Sequence, residues 1–167
     1  MLMTFFVAAV QEQWQTDTGL SGAFWAVLGV TSLFSGPVFG AMSDKIGRYQ
    51  TLAMLFALQA LAHGLIALGA PLAWIMLSAG VFGLSTWAVP SIMATLSSEL
   101  FGMANTARVL SLITIFFGIG QIVGPLMAGI MRDITGSFTL AFTVSTGLLC
   151  FAVLTALAAS RTGRKNR

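Results

Sequence analysis

YQTLAMLFALQALAHGLIALGAPLAWIMLSAGVFGLSTWAVPSIMATLSS, Tyr49 to Ser98, is a run of 50 residues without a charged side chain. A helix rises 1.5 Å per residue and needs roughly 20 apolar residues to cross a bilayer, so this run is long enough to cross twice. Near its middle, Leu68-Gly-Ala-Pro-Leu72 supplies the reversal: Gly69 and Pro71 carry turn chemistry, and Pro71 also suits the first turn of a following helix. The same pattern continues outward. There are 26 uncharged residues between Asp17 and Asp44, 23 between Arg108 and Arg132, and 27 between Asp133 and Arg161. Five full spans are expected, near 20–41, 50–69, 72–96, 108–131 and 138–160, in one transmembrane helical domain over residues 1–160 with a basic tail at 161–167.

Composition agrees. Of the 167 residues, 57% are hydrophobic and 8% charged, against about 25% charged in a soluble domain. So few charges cannot cover a water-facing surface. Spanning strands would be about 10 residues long and alternate apolar with polar, which these runs do not do. The expected fold class is therefore all-α, a polytopic transmembrane helix bundle. Cys150, the single cysteine, falls inside the last span and reads as a small buried hydrophobe; no disulfide framework, metal-ligand spacing or cofactor is expected.

The charges orient the bundle. Lys45, Arg48, Arg108, Arg161, Arg164, Lys165 and Arg167 fall on one side of a five-span layout, with Asp44 and Glu99; Arg132 falls on the other, with Glu12, Asp17 and Asp133. Basic residues collect in cytoplasmic loops, so the basic side and the C-terminus are expected in the cytoplasm. The net charge of +3 does not imply a nucleic-acid partner, because the basic residues end spans and form no aromatic-flanked groove. The tail can rest on anionic lipid at about 1 kcal/mol per basic residue. Met1 to Val10 is apolar but about half the length of a span, and reads as an N-terminal half-span whose beginning is absent. Trp14, in the polar stretch that follows, suits an interfacial anchor.

Two segments repeat. Gly36-Pro-Val-Phe-Gly40-Ala-Met-Ser-Asp44-Lys-Ile-Gly47 and Gly124-Pro-Leu-Met-Ala-Gly129-Ile-Met-Arg-Asp133-Ile-Thr-Gly136 both follow Gly-Pro with G-x-x-x-D-x-x-G, at an offset of 89 residues between Gly40 and Gly129. The offset carries the second span onto the fifth and the third span onto the N-terminal half-span. One copy ends on the basic side and the other opposite, as inverted repeats of three spans require, and such repeats are a mark of secondary transporters.

Gly40-Ala-Met-Ser-Asp44-Lys45-Ile-Gly47-Arg48-Tyr49 resembles the signature loop G-x-x-x-D-R/K-x-G-R-R of the major facilitator superfamily. Gly118-Ile-Gly-Gln-Ile-Val-Gly124-Pro125, followed by Asp133-Ile-Thr-Gly-Ser137, is similar to that family's eleventh helix and outer loop. The resemblance implies half of that fold, built from inverted three-span repeats: helices seven to twelve, with most of the seventh missing. It departs at Tyr49, where a second basic residue is common. Some members also carry E-x6-R before the eleventh helix, but here eight residues separate Glu99 from Arg108, and no charge relay is assigned to that pair.

By resemblance Gly40, Asp44, Lys45, Gly47 and Arg48 form a conformational gating loop that does not bind substrate; Asp44 would accept bonds from a helix N-terminus or a neighbouring Arg. Gly36, Pro37, Gly120, Gly124 and Pro125 are hinge or packing positions, and tight packing alone explains them equally well. Pro90 sits mid-span and frees the carbonyl of Thr86. Gly83, Trp87 and Ser91 follow at i, i+4, i+8, and the corresponding tenth helix lines the substrate path in the family, so Trp87 and Ser91 are path candidates. Gln121 is either a cavity residue or an interhelical hydrogen-bonder. His63, one turn after Gln59, suggests a proton relay; the resemblance weakens it, because the ninth helix is peripheral support.

The expected function is transport of a small solute across a bilayer, in the bacterial inner membrane, by rocking one helical bundle against another, with an N-terminal six-helix half as partner. The alternative is a truncated or split-gene membrane fragment without transport of its own, acting only with a partner chain. An intramembrane enzyme is not expected, since no two catalytic-type ionisable residues share a membrane depth.

Overall fold

A computed structural model describes residues 18–165 together with Phe5, Ala8, Val10 and Gln11. Most of the half-span expected at Met1–Val10, the anchor at Trp14 and Arg167 lie outside the described residues. From Thr18 onward the described residues form seven helical segments in order: α1 Thr18–Leu33, α2 Ser35–Ile46, α3 Arg48–Ala67, α4 Leu72–Thr86, α5 Ala88–Phe101, α6 Met103–Thr135 and α7 Thr139–Lys165. The described residues contain no strand.

Among the described residues, four helices are long and apolar enough to cross a membrane: α3, the α4–α5 run Leu72–Phe101, α6, and α7 over Thr139–Thr162. The pair α1 and α2 makes a fifth as one span bent by 42°. Three of the four uncharged runs are thus one helix or one broken helix each, and the 50-residue run is two spans, α3 and α4–α5. The helices also run past the apolar runs at their ends, because a helix need not stop where the chain meets polar surroundings. α6 begins at Met103 and ends at Thr135, beyond 108–131 on both sides.

The reversal at Gly69 has a specific geometry. Gly69 lies at φ +63°, its N–H bonds the Ile66 carbonyl at 3.1 Å, and the Ala70 N–H bonds the Leu65 carbonyl at 3.1 Å. This paired closure satisfies the last carbonyls of α3 and requires a left-handed residue, which costs glycine nothing. Pro71 follows and caps α4.

α3 is the centre of the chain. It packs along α7 and α4, and eight of its side chains are buried, among them Ala53, Ala60 and Ala62, whose small size admits close neighbours. Within this chain the second span is the most enclosed of the candidate spans. The apolar interior has two parts. Phe24, Leu28, Ala62, Ile66, Ile75, Phe82, Phe138 and Phe142 fill the end away from Arg48. Phe39, Leu52, Leu55, Ala88, Ile92 and Ala156 fill the basic end. α6 is the opposite case, with Ala128 its one buried residue. Leu112, Phe116, Phe117, Ile122 and Leu126 are all exposed along it, which is tolerable only against lipid or further protein. Cys150 is exposed on α7, contrary to the burial expected of it, because the face it occupies has no neighbour in this chain.

Candidate functional site: the loop between α2 and α3

α2 ends at Ile46, Gly47 turns the chain, and α3 begins at Arg48. Gly47 has φ +101° and ψ 152°, a backbone region open essentially to glycine alone. Its N–H bonds the Ser43 carbonyl, and its own carbonyl accepts both the Thr51 N–H and the Thr51 hydroxyl. The turn is closed from both sides, and it puts Arg48 directly over the end of α2.

Arg48 uses its whole guanidinium. Nη1 reaches Asp44 Oδ1 at 2.5 Å and donates to the buried Ser43 hydroxyl. Nε donates to Glu99 Oε1 at 3.0 Å, and Nη2 stands 2.9 Å from the same oxygen. One arginine therefore ties together the ends of α2 and α5 from its place at the start of α3. The arginine side chain is only 19% exposed, while those of Asp44 and Glu99 are 65% and 40% exposed. Its charge is therefore screened less than that of an ordinary surface pair. Asp44 keeps most of its carboxylate free to meet something else.

Asp44, Gly47 and Arg48, read as one loop in the sequence, thus form one cluster, and Lys45 is exposed beside it. Glu99 and Ser43 were missed as members. A signal existed for Glu99: it is the one acidic residue other than Asp44 on the basic side of the chain. Arg108, nine residues further on, is exposed on α6.

The remaining candidates are spread along the spans. Trp87 and Ser91 are exposed, whereas Gly83 is buried, so the three do not share a face; the helix breaks at Trp87, and Gly83 turns toward α1. A Cβ on Gly83 would lie 2.5 Å from the Leu28 carbonyl oxygen and 2.3 Å from Thr31 Oγ1. Close helix approach thus occurs at Gly83. At Gly36, Gly40, Gly120 and Gly124 nothing lies within 4 Å of a Cβ position. Pro37 and Pro90 each sit just after a helix break, while α6 runs unbroken through Pro125. Gln121 is exposed on α6.

His63 is 4% exposed. Its Nδ1–H donates to the Gln59 carbonyl at 2.8 Å, and its ring lies 5.7 Å from Phe82 and 5.8 Å from Phe142. At the end away from Arg48, a cleft of about 590 Å³ is lined by Phe5, Gln11, Arg132, Asp133 and Phe138, among others, with the Arg132 guanidinium 5.8 Å from the Phe138 ring centre.

Comparison with known proteins places this arrangement. A family profile described as "Uncharacterised MFS-type transporter YbfB" matches residues 1–157. The chain is 26% identical over 121 residues to the tetracycline resistance protein, class H, of Pasteurella multocida, covering 72% of this chain and 30% of that protein. It is 26% identical over 155 residues to the bovine synaptic vesicle 2-related protein, covering 92% of this chain and 28% of that one. It is 32% identical over 123 residues to the multi-drug resistance efflux pump PmrA of Streptococcus pneumoniae, covering 72% and 30%. The chain thus spans about 30% of the length of these relatives. No solved structure matches it. With four to five apolar spans among the described residues, an Asp44–Arg48 loop of the signature type and a family match over nearly its whole length, this integral membrane chain belongs to the major facilitator superfamily of transporters.

Proposed function

We propose that the chain is the C-terminal half of a transporter that moves a small solute by alternating access, with the α2–α3 loop as its cytoplasmic gate. The observation that carries this reading is the grip of Arg48 on Asp44 and Glu99, which locks the basic ends of three spans together. A charge-assisted cluster of this kind holds one arrangement of packed helices and is lost in the other, which is how a two-state bundle is biased. Asp44, still largely exposed, has capacity for a partner in a second six-helix bundle.

The exposed length of α6 supports dependence on such a bundle. Gly120 and Gly124, with open space beside them, are notches for helices of that half, and Gln121 between them would hydrogen-bond across the contact. Trp87 and Ser91 would face the substrate path, and the drug-handling names of two relatives favour an amphipathic solute. His63 serves as a packing residue: its one polar contact is to its own helix and its flanks are aromatic. The bias of Lys and Arg to one end of the spans supports a cytoplasmic gate and C-terminus, and the bacterial relatives favour a bacterial cell membrane.

The test is accumulation of tetracycline and of a lipophilic dye in drug-sensitive bacteria. Cells making this chain with an N-terminal six-helix half should accumulate less of at least one, and cells making this chain alone should match the empty control. Saturable transport by the chain alone in proteoliposomes would overturn the half-transporter reading.

A further inference from the structure

Two spans of this chain are interrupted at the same level, α1–α2 by a 42° bend and α4–α5 by a one-residue break inside a run that still counts as one span. Pro37 has no N–H, so the Leu33 carbonyl loses its helical partner, and α1 gives way to α2 at Phe34. Pro90 does the same to Thr86, and α4 gives way to α5 at Trp87. In both the proline stands three residues after the break. The break residues share a backbone conformation, Phe34 at φ −87° and ψ −9°, Trp87 at φ −83° and ψ −14°. α6 holds Pro125 without breaking, so proline alone does not set this geometry.

The residues directly after the two breaks touch. The Ala88 N–H donates to Ser35 Oγ at 2.8 Å, and the two residues are 1% and 0% exposed. The two spans run in the same direction and keep one register along their length. Gly83 lies against Leu28 and Thr31 above the breaks, and below them Arg48 of α3 bridges Asp44 of α2 to Glu99 of α5. A change at one break that pulls Ala88 from Ser35 gives up a buried hydrogen bond between the two spans and leaves the Ser35 hydroxyl without its partner on the other span in an apolar interior, a costly state.

We infer that the Ser35–Ala88 hydrogen bond is a mid-span joint that makes the α1–α2 and α4–α5 bends change together. Ser35 is a positioning residue that acts through the backbone of Ala88. Its consequence for transport rests on the function proposed above: α5 carries Ser91 beyond Trp87, α2 carries Asp44, and the joint passes a change at the one to the gate at the other.

The experiment uses the full chain in lipid nanodiscs with Cys150→Ala, and spin labels at positions 22 and 46 to read the α1–α2 bend. A second pair at positions 74 and 100 reads the α4–α5 bend. Removing a 42° bend from a span with two 12-residue arms lengthens the first distance by about 2 Å. Pro90→Ala returns an N–H to the Thr86 carbonyl and straightens α4–α5. With Ser35 or Ser35→Thr present, the first distance should lengthen too; with Ser35→Ala it should stay. Equal lengthening with and without the hydroxyl overturns the joint, as does no lengthening in the Ser35 form when the second distance has grown. If Pro90→Ala leaves α4–α5 bent, Ser35→Ala by itself decides: both distance distributions must broaden, and unchanged widths overturn the proposal. These distances require no transport. Coupled bends without drug export by the assembled halves would count against the transporter reading alone, and uncoupled bends against the joint alone.

Discussion

Glu99 and Arg48 lie 51 residues apart in the chain and meet through two guanidinium nitrogens on one carboxylate oxygen, at 3.0 and 2.9 Å. The contact joins the last turn of α5 to the first residue of α3, and Asp44 holds the same arginine from α2. Three spans therefore end on one charge.

Glu99→Gln keeps the shape of the side chain and removes its charge. A charge-assisted hydrogen bond contributes about 1.5 kcal/mol at the low end, and roughly 1.4 kcal/mol is a tenfold change in an equilibrium. Under the half-transporter reading proposed above, export by the assembled halves should fall about tenfold. Exchange of the pair, Arg48→Glu with Glu99→Arg, should recover less than the single change loses, because Asp44 would then face a carboxylate. Drug accumulation in cells measures both, and an unaltered rate for Glu99→Gln would remove Glu99 from the gate.

Gly47→Ala tests the turn itself. At φ +101° an added Cβ is strained whatever the space, and it would lie 2.6 Å from Gln50 Oε1. The cost should be about 1–3 kcal/mol, read as a lower thermal midpoint of the purified chain. Gln50→Ala in the same chain removes the clash and leaves the backbone strain, so it should return only part of the loss. Full recovery would show that the turn tolerates any residue there.

Gly83→Ala should act at a distance from the gate. The new methyl meets the Leu28 backbone, which cannot rotate away, as well as Thr31 Oγ1. α1 and α4 must separate, at about 1–3 kcal/mol. Thr31→Ala should not rescue it, since the Leu28 carbonyl stays in place; thermal unfolding of the single and double variants decides this.

How far the sequence carries depends on the range of each interaction. Uncharged runs mark spans because the bilayer acts on each segment separately, and Asp44 with Arg48 is legible because the two lie four residues apart across one turn. The partner of Arg48 on α5 is set by the relative register of two spans, which no local pattern contains. Gly83 was grouped with Trp87 and Ser91 by an unbroken helical period, and the break at Trp87 separates them. Phe34-Ser-Gly-Pro37 and Trp87-Ala-Val-Pro90 do show the shared spacing of the two breaks, an aromatic, a small residue and then proline, though not that Ser35 and Ala88 meet. Cys150 was placed inside because it lies mid-span, but position along a helix says nothing about which face it occupies.

Gly124 separates the packing of this chain from packing against another bundle. A Cβ there meets nothing within 4 Å, so Gly124→Leu should leave the thermal midpoint of the chain alone within about 0.5 kcal/mol, as for other substitutions away from contacts. If α6 presents this notch to the N-terminal half, the same leucine fills the space needed for close helix approach and should reduce co-purification of the two halves several-fold. Gly83→Ala should do the reverse, destabilising the chain while leaving the α6 face intact. A leucine at position 124 that changes neither stability nor association would mean that this stretch of α6 faces lipid, and the contact with the second half would then have to be sought on another span.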